Sequence, residues 1–169
     1  MFYGCCGLKS LDFPQSVEEV GDEAFAFCRN LERVVLPKTT QRLRQSVFYW
    51  CDHLKSVSAP SENLTIGNCC FFRCTDLNGL DIKGKVLNVG AHAFKECSSL
   101  YVLSGISDIT EFGFMCFVGC QRLQKFKEAP PRLSKDNCSV NNIKWIRFLE
   151  RLSPRENDSS EYRDNHHFH

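Results

Sequence analysis

The chain carries no surplus of either charge: 21 lysines and arginines stand against 20 aspartates and glutamates. A protein built to grip nucleic acid or an anionic membrane shows a basic excess or a basic stripe, so neither partner is expected. No apolar run approaches the roughly 20 residues that a helical membrane span needs. The opening Met1-Phe2-Tyr3-Gly4-Cys5-Cys6 has neither the basic start nor the apolar stretch of a secretory signal. These absences predict a soluble, intracellular and cytoplasmic chain, although a piece cut from a longer secreted protein would read the same way. A glycine-rich phosphate loop is missing too. So is any Cys-x-x-Cys pair, in a chain of 169 residues with 11 cysteines. That odd number argues against a disulfide framework, and the spacing of the cysteines has a better explanation.

What is present is a repeat. Phe2, Phe25, Phe48, Phe71, Phe94 and Phe117 stand 23 residues apart. Three residues after each come Cys5, Cys28, Cys51, Cys74, Cys97 and Cys120. Three further on come Leu8, Leu31, Leu54, Leu77, Leu100 and Leu123, and then Leu11, Val34, Val57, Leu80, Leu103 and Phe126. A small or modest residue precedes the phenylalanine: Ala24, Val47, Cys70, Ala93 or Cys116. An apolar-glycine pair comes before that, in Val20-Gly21, Ile66-Gly67, Val89-Gly90 and Phe112-Gly113, whereas one unit has Leu43-Arg44. Early units carry a proline after the first apolar stretch, at Pro14, Pro37 and Pro60.

Each unit reads as strand, turn, strand, turn and short helical turn. Leu-x-x-Leu-x-Leu places alternate side chains inward along a strand, and proline ends it. A second extended stretch such as Ser16–Val20 runs to the glycine, which is expected to sit at a turn with positive φ. Apolar residues three apart in Phe-x-x-Cys-x-x-Leu then fit one helical turn. One unit cannot bury its apolar face alone, so neighbours must stack into a continuous core. Six of the cysteines become a buried column, one per unit, and Cys70 and Cys116 fill the small slot used elsewhere by alanine. Strands lie about 4.8 Å apart, close enough for neighbouring thiols to bridge in principle, although a reducing cytosol would keep them as thiols.

These residues resemble the BspA-type leucine-rich repeats. The pattern is clearest from Ile66-Gly67 to Leu77 and from Val89-Gly90-Ala91-His92-Ala93-Phe94 to Leu100, and it covers about residues 2–130. The resemblance implies a right-handed leucine-rich-repeat solenoid of about six 23-residue units. It also implies the company of surface adhesins and interaction proteins, so the expected function is non-catalytic protein–protein interaction. The favoured setting is a subunit of a larger intracellular assembly. The alternative is a fragment of a BspA-like surface adhesin that binds host or matrix proteins.

The expected division is a solenoid over residues 1–130, a C-terminal cap over 131–153 and a disordered tail over 154–169. Pro130-Pro131 ends the array, and a helix from about Asn142 to Leu152 would put Trp145, Phe148, Leu149 and Leu152 on one face. The array starts at Phe2 with nothing to cap its first unit, which leaves that unit exposed, covered by a partner, or preceded by further chain.

Two surfaces are candidates for binding. One is the outward row of the leading strands: Asp12, Val35, Ser58, Asp81, Ser104 and Lys127, with Arg33, Lys55, Tyr101 and Lys125 beside it. The other is the pair of positions after each phenylalanine, where Tyr3, Phe27, Tyr49, Trp50 and Phe72 should form a contiguous exposed aromatic patch. Such a patch, with tryptophan and tyrosine as anchors, is the favoured binding site. Metal is not expected. Cys70/Cys74 and Cys116/Cys120 are explained by the repeat, and His166, His167 and His169 lie in the polar tail. No cofactor is expected. His53 and His92 fall in different units at different phases, with no nucleophile, base and orienting group converging as catalysis requires.

Overall fold

In the computed structural model the chain coils as a parallel β-solenoid. The structure describes residues 2–105, 109, 112–123 and 125–126, of which 102, 125 and 126 are described by backbone only. The expected C-terminal helix and tail lie outside the described residues.

The first extended stretch of every unit forms a strand: β1 (Ser10–Asp12), β3 (Arg33–Val35), β5 (Ser56–Ala59), β7 (Gly79–Ile82), β9 (Val102–Leu103) and β10 (Lys125–Phe126). They build one parallel sheet in that order. The second stretch forms β2 (Glu19–Val20), β4 (Arg42–Leu43), β6 (Asn63–Ile66) and β8 (Lys85–Val89), which make a separate parallel sheet. A bridge from Val89 to Phe112 continues it. Pairing follows the repeat, with Leu11 beside Val34, Val34 beside Val57, and Val57 beside Leu80. The unbroken 23-residue count hides one local compensation. Leu64 pairs with Val86 but Thr65 pairs with Asn88, so the register shifts within β8. Leu87 is the unpaired residue, and its side chain is exposed. The turn into β8 is one residue short, and this bulge restores the phase.

The third side is not a helical turn, which corrects the sequence reading. It is a run of linked turns. Ala24, Ala26, Cys28 and Leu31 donate backbone N–H groups three residues back, to Gly21, Glu23, Phe25 and Cys28. Between them, Glu23, Phe25 and Phe27 donate to Gln45, Val47 and Tyr49 of the next unit, at 2.8–2.9 Å. Two positions per unit must therefore turn their peptides along the solenoid axis. They do so with left-handed backbone: Glu23, Ser46, Cys69, His92 and Met115 at one, and Gly4, Phe27, Trp50, Arg73, Glu96 and Gly119 at the other. Left-handed backbone costs a non-glycine residue roughly 1–2 kcal/mol. The inter-unit hydrogen bonds offset that cost.

The unit glycines do something other than expected. Gly67, Gly90 and Gly113 do not have positive φ. They allow backbones to stack. A Cβ on Gly67 would lie 2.6 Å from the Arg44 carbonyl carbon, one on Gly90 would lie 2.6 Å from Asn68 N, and one on Gly113 would meet the backbone of Gly90.

The core is a set of columns along the axis. Phe48, Phe71, Phe94 and Phe117 are fully buried and stack face to face, with centroids 5.3–5.7 Å apart between successive rings and planes within 15°. Burying each such ring stabilises by roughly 1.5–3 kcal/mol over leaving it in water. Cys51, Cys74, Cys97 and Cys120 run beside them. Each thiol donates to the carbonyl of the phenylalanine in the preceding unit: Cys51 to Phe25, Cys74 to Phe48, Cys97 to Phe71 and Cys120 to Phe94, at 3.0–3.1 Å. That bond needs the proton, and burial keeps it there. It pushes the Cys51 thiol up to about 12 and raises Cys74 and Cys97 well above the ordinary range.

Candidate interaction surfaces

The sheet of leading strands sets its outward side chains in straight rows because parallel register repeats without slip. Asp12, Val35, Ser58 and Asp81 stand side by side. Arg33 pairs with Ser56, and Ser56 with Gly79. Between the rows lies a hollow of about 450 Å³ lined by Arg33, Val35, Ser58, Asp81 and Ser104 together with Ser56 and Gly79. The structure thus brings together five of the sequence-predicted strand-face residues. Asp12 lies beyond the hollow at the first strand. Lys55 pairs instead with Glu32 at 3.5 Å, and Tyr101 is exposed outside the lining. Of the lysines named beside this row, Lys127 and the side chain of Lys125 lie outside the described residues.

The hollow is shallow for a chemical reason: its centre is built from serine and glycine. Ser56, Ser58 and Gly79 leave the backbone close to the surface, while Val35, 46% exposed, offers an apolar contact at one side. Arg33 and Asp81 bring opposite charges to its lining, and Lys83 reaches Asp81 at 3.2 Å.

The aromatic residues are contiguous, as the repeat predicts. The Tyr3 and Phe27 centroids are 5.4 Å apart, Phe27 and Tyr49 5.4 Å, and Tyr49 and Phe72 4.9 Å, while Trp50 lies 6.1 Å from Phe27. They are less exposed than expected. Tyr3 is open to solvent, but Phe27, Tyr49, Trp50 and Phe72 are half-buried. The cause is mutual: each ring leans on the ring of the next unit. The chain also supplies its own cations. The Arg73 guanidinium sits 4.3 Å from the centre of a Trp50 ring, and the Lys95 ammonium 5.9 Å from that of Phe72. The sequence reading missed both contacts, although Trp50-to-Arg73 is the repeat interval. Other surface polar contacts obey the same interval, as in Arg29 with Asp52 at 2.7 Å and His53 with Asp76 at 3.4 Å.

Nothing among the described residues gathers three or more histidine, cysteine, aspartate or glutamate side chains into a metal-holding group. Cys70 and Cys74 are both core residues. Among the described residues, Cys5, Cys6 and Cys69 are the cysteines that reach the surface. No helix among the described residues is long and apolar enough to cross a membrane.

A family model for the BspA type leucine rich repeat region matches residues 1–124 in 6 copies. The chain belongs to the BspA-type leucine-rich-repeat family. Among solved structures, the T. pallidum leucine rich repeat protein TpLRR shares this BspA-type chain's fold with a TM-score of 0.65. Identity is 18%, over 88% of this chain and 85% of that one. A leucine-rich repeat protein from Bacteroides ovatus aligns at 25% identity with a TM-score of 0.53, over 85% of this chain and 40% of that one. The BspA-type chain thus spans about two fifths of the Bacteroides protein. No curated protein is significantly similar to it. Family and fold are those of leucine-rich-repeat proteins.

Proposed function

We propose that this chain is a non-catalytic scaffold that holds a protein partner on the strand-face hollow, as one subunit of a larger intracellular assembly. One observation carries the choice of surface: the row Val35–Ser58–Asp81 is straight and open, with small side chains at its centre. A preformed surface loses little conformational freedom on binding. Arg33 and Asp81 would fix the partner's orientation by charge, and Val35 would supply apolar contact. The aromatic band is the second reading. Its contiguity favours it, but its rings already lean on one another and carry Arg73 and Lys95.

The intracellular setting is supported by the core thiols, which act as hydrogen-bond donors and need their protons to do so. The rival is a surface adhesin fragment. Two measurements decide. Recovery of partners from native extract is compared for the wild type, a Val35→Lys/Ser58→Arg variant and a Tyr49→Ala/Trp50→Ala variant. Loss with the first variant alone supports the strand face, and loss with the second alone moves the site to the aromatic band. A thiol count on protein from its native source tests the setting: free thiols support the intracellular reading, and paired cysteines or glycosylation support the adhesin.

A further inference from the structure

Along the turn side, one position per unit reads Tyr3, Ala26, Tyr49, Phe72 and Lys95. Ala26 is buried and puts no ring between Tyr3 and Tyr49. The next residue, Phe27, stands behind the gap, 5.4 Å from Tyr3 at 62° and 5.4 Å from Tyr49 at 65°. Glu23 and Ser46 close another side. The result is a hollow of about 200 Å³ with three aromatic walls and one carboxylate. Among the described residues Glu23 takes part in no ion pair.

Further along the same band the chain covers its rings with its own cations. Arg73 lies over Trp50 and Lys95 over Phe72. Among the described residues, no such cation reaches the hollow at Tyr3, Phe27 and Tyr49. We propose that this hollow binds an organic cation of the alkylammonium class, with the methylated lysine side chain of a protein partner as the occupant.

The attraction is electrostatic. Ring faces carry partial negative charge and attract a cation within about 6 Å. Inclined rings turn more than one face or edge toward a shared space, and Glu23 adds a full negative charge at its rim. A methylated ammonium sheds its water at less cost than a bare metal ion, and its methyl groups pack against rings. A hard metal cation would need several oxygen ligands, which one carboxylate and one serine do not supply. Glu23 repels an anion. The open mouth admits the end of a long, thin side chain. The site is separate from the strand-face hollow, so neither reading depends on the other.

The test is a titration followed by amide NMR shifts of Phe27, Tyr49 and Ser46. The probes are a trimethyl-lysine peptide, free tetramethylammonium, and the same peptide with a neutral tert-butyl carbon in place of the ammonium. Saturable shifts with an ammonium probe and at least about tenfold weaker binding of the neutral isostere are expected. Glu23→Gln should weaken ammonium binding about tenfold, and Tyr3→Leu should weaken it without affecting folding, since Tyr3 is 54% exposed. Phe114→Leu, 59% exposed and in a different unit, should leave binding unchanged. Stronger binding of the peptide than of tetramethylammonium assigns the ligand to a protein partner. Stronger binding of tetramethylammonium overturns that assignment in favour of a small free cation. Equal binding of the isostere, or no saturable shift with either ammonium probe, overturns the pocket.

Discussion

The thiol of Cys74 donates to the carbonyl oxygen of Phe48 at 3.1 Å, across the joint between two repeats. The same oxygen accepts the backbone N–H of Cys51 at 3.2 Å. One carbonyl thus serves its own unit and the next. Cys74→Ala removes the second bond but leaves the oxygen satisfied, and it opens a small void. A loss of about 1–2 kcal/mol is expected. Cys74→Ser should cost at least as much, because a hydroxyl is more expensive to bury than a thiol. Urea unfolding measures both. An alanine variant as stable as the wild type would show that the bond contributes nothing.

High pH should loosen the solenoid. Burial holds the Cys51 thiol at about 12, against 9.0 when exposed, and raises Cys74 and Cys97 in the same direction. Between these values the unfolded chain releases protons that the folded chain keeps. The stabilisation is therefore complete below about pH 9 and is lost as pH rises toward 12. The slope approaches about 1.4 kcal/mol per pH unit for each such thiol. Denaturant midpoints taken from pH 8 to 11 should fall steadily, and the fall should be shallower in Cys51→Ala. A flat profile would mean that the thiolates are tolerated in the fold.

Thiol reagents should divide the cysteines by place. Cys6, with Cys5 and Cys69, should react in the native protein near pH 8. Cys28, Cys51, Cys70, Cys74, Cys97, Cys116 and Cys120 should react only after unfolding, since all are buried. Mass mapping of an alkylated sample reads this directly. Rapid native labelling of Cys74 would contradict the packed core.

Two glycines should respond oppositely to alanine. A Cβ on Gly90 would meet Asn68 N at 2.6 Å and the Gly67 carbonyl carbon at 2.7 Å, so Gly90→Ala must push two rungs apart. It should destabilise by more than about 2 kcal/mol. Gly21 has no atom within 4 Å of the same point and no positive φ. Gly21→Ala should be neutral or stabilise by about 0.4–1 kcal/mol. Thermal unfolding of the pair checks the contrast, and equal effects would refute close approach as the reason for the glycine column.

The columns were legible in the sequence because side-chain identity alone marks them. Phe48, Cys51, Leu54 and Val57 recur at fixed phase, and all four are buried. What was not legible depends on how one unit's backbone meets the next. Phe27 and Trp50 bear no mark of left-handed geometry, since bulky residues rarely adopt it, yet both do here. Gly67 looked like a turn and proved to be a point of contact between rungs. The thiol bond from Cys74 reaches 26 residues back, so it cannot be found by comparing equal positions in successive units. For the candidate surfaces, the sequence placed Tyr49 beside Phe72 correctly and overestimated their exposure, because exposure depends on how far neighbouring rings lean together.

The hydrogen bonds that join one unit to the next all run along the solenoid axis, on three sides of the coil. Tension applied between the two ends of the array therefore bears on them like a zipper and not like a rope. The terminal unit peels while those behind it stay closed. Each release frees 23 residues, about 80 Å of extended chain. Under load the protein should lengthen in even steps at modest force, with the remaining rungs intact after every step.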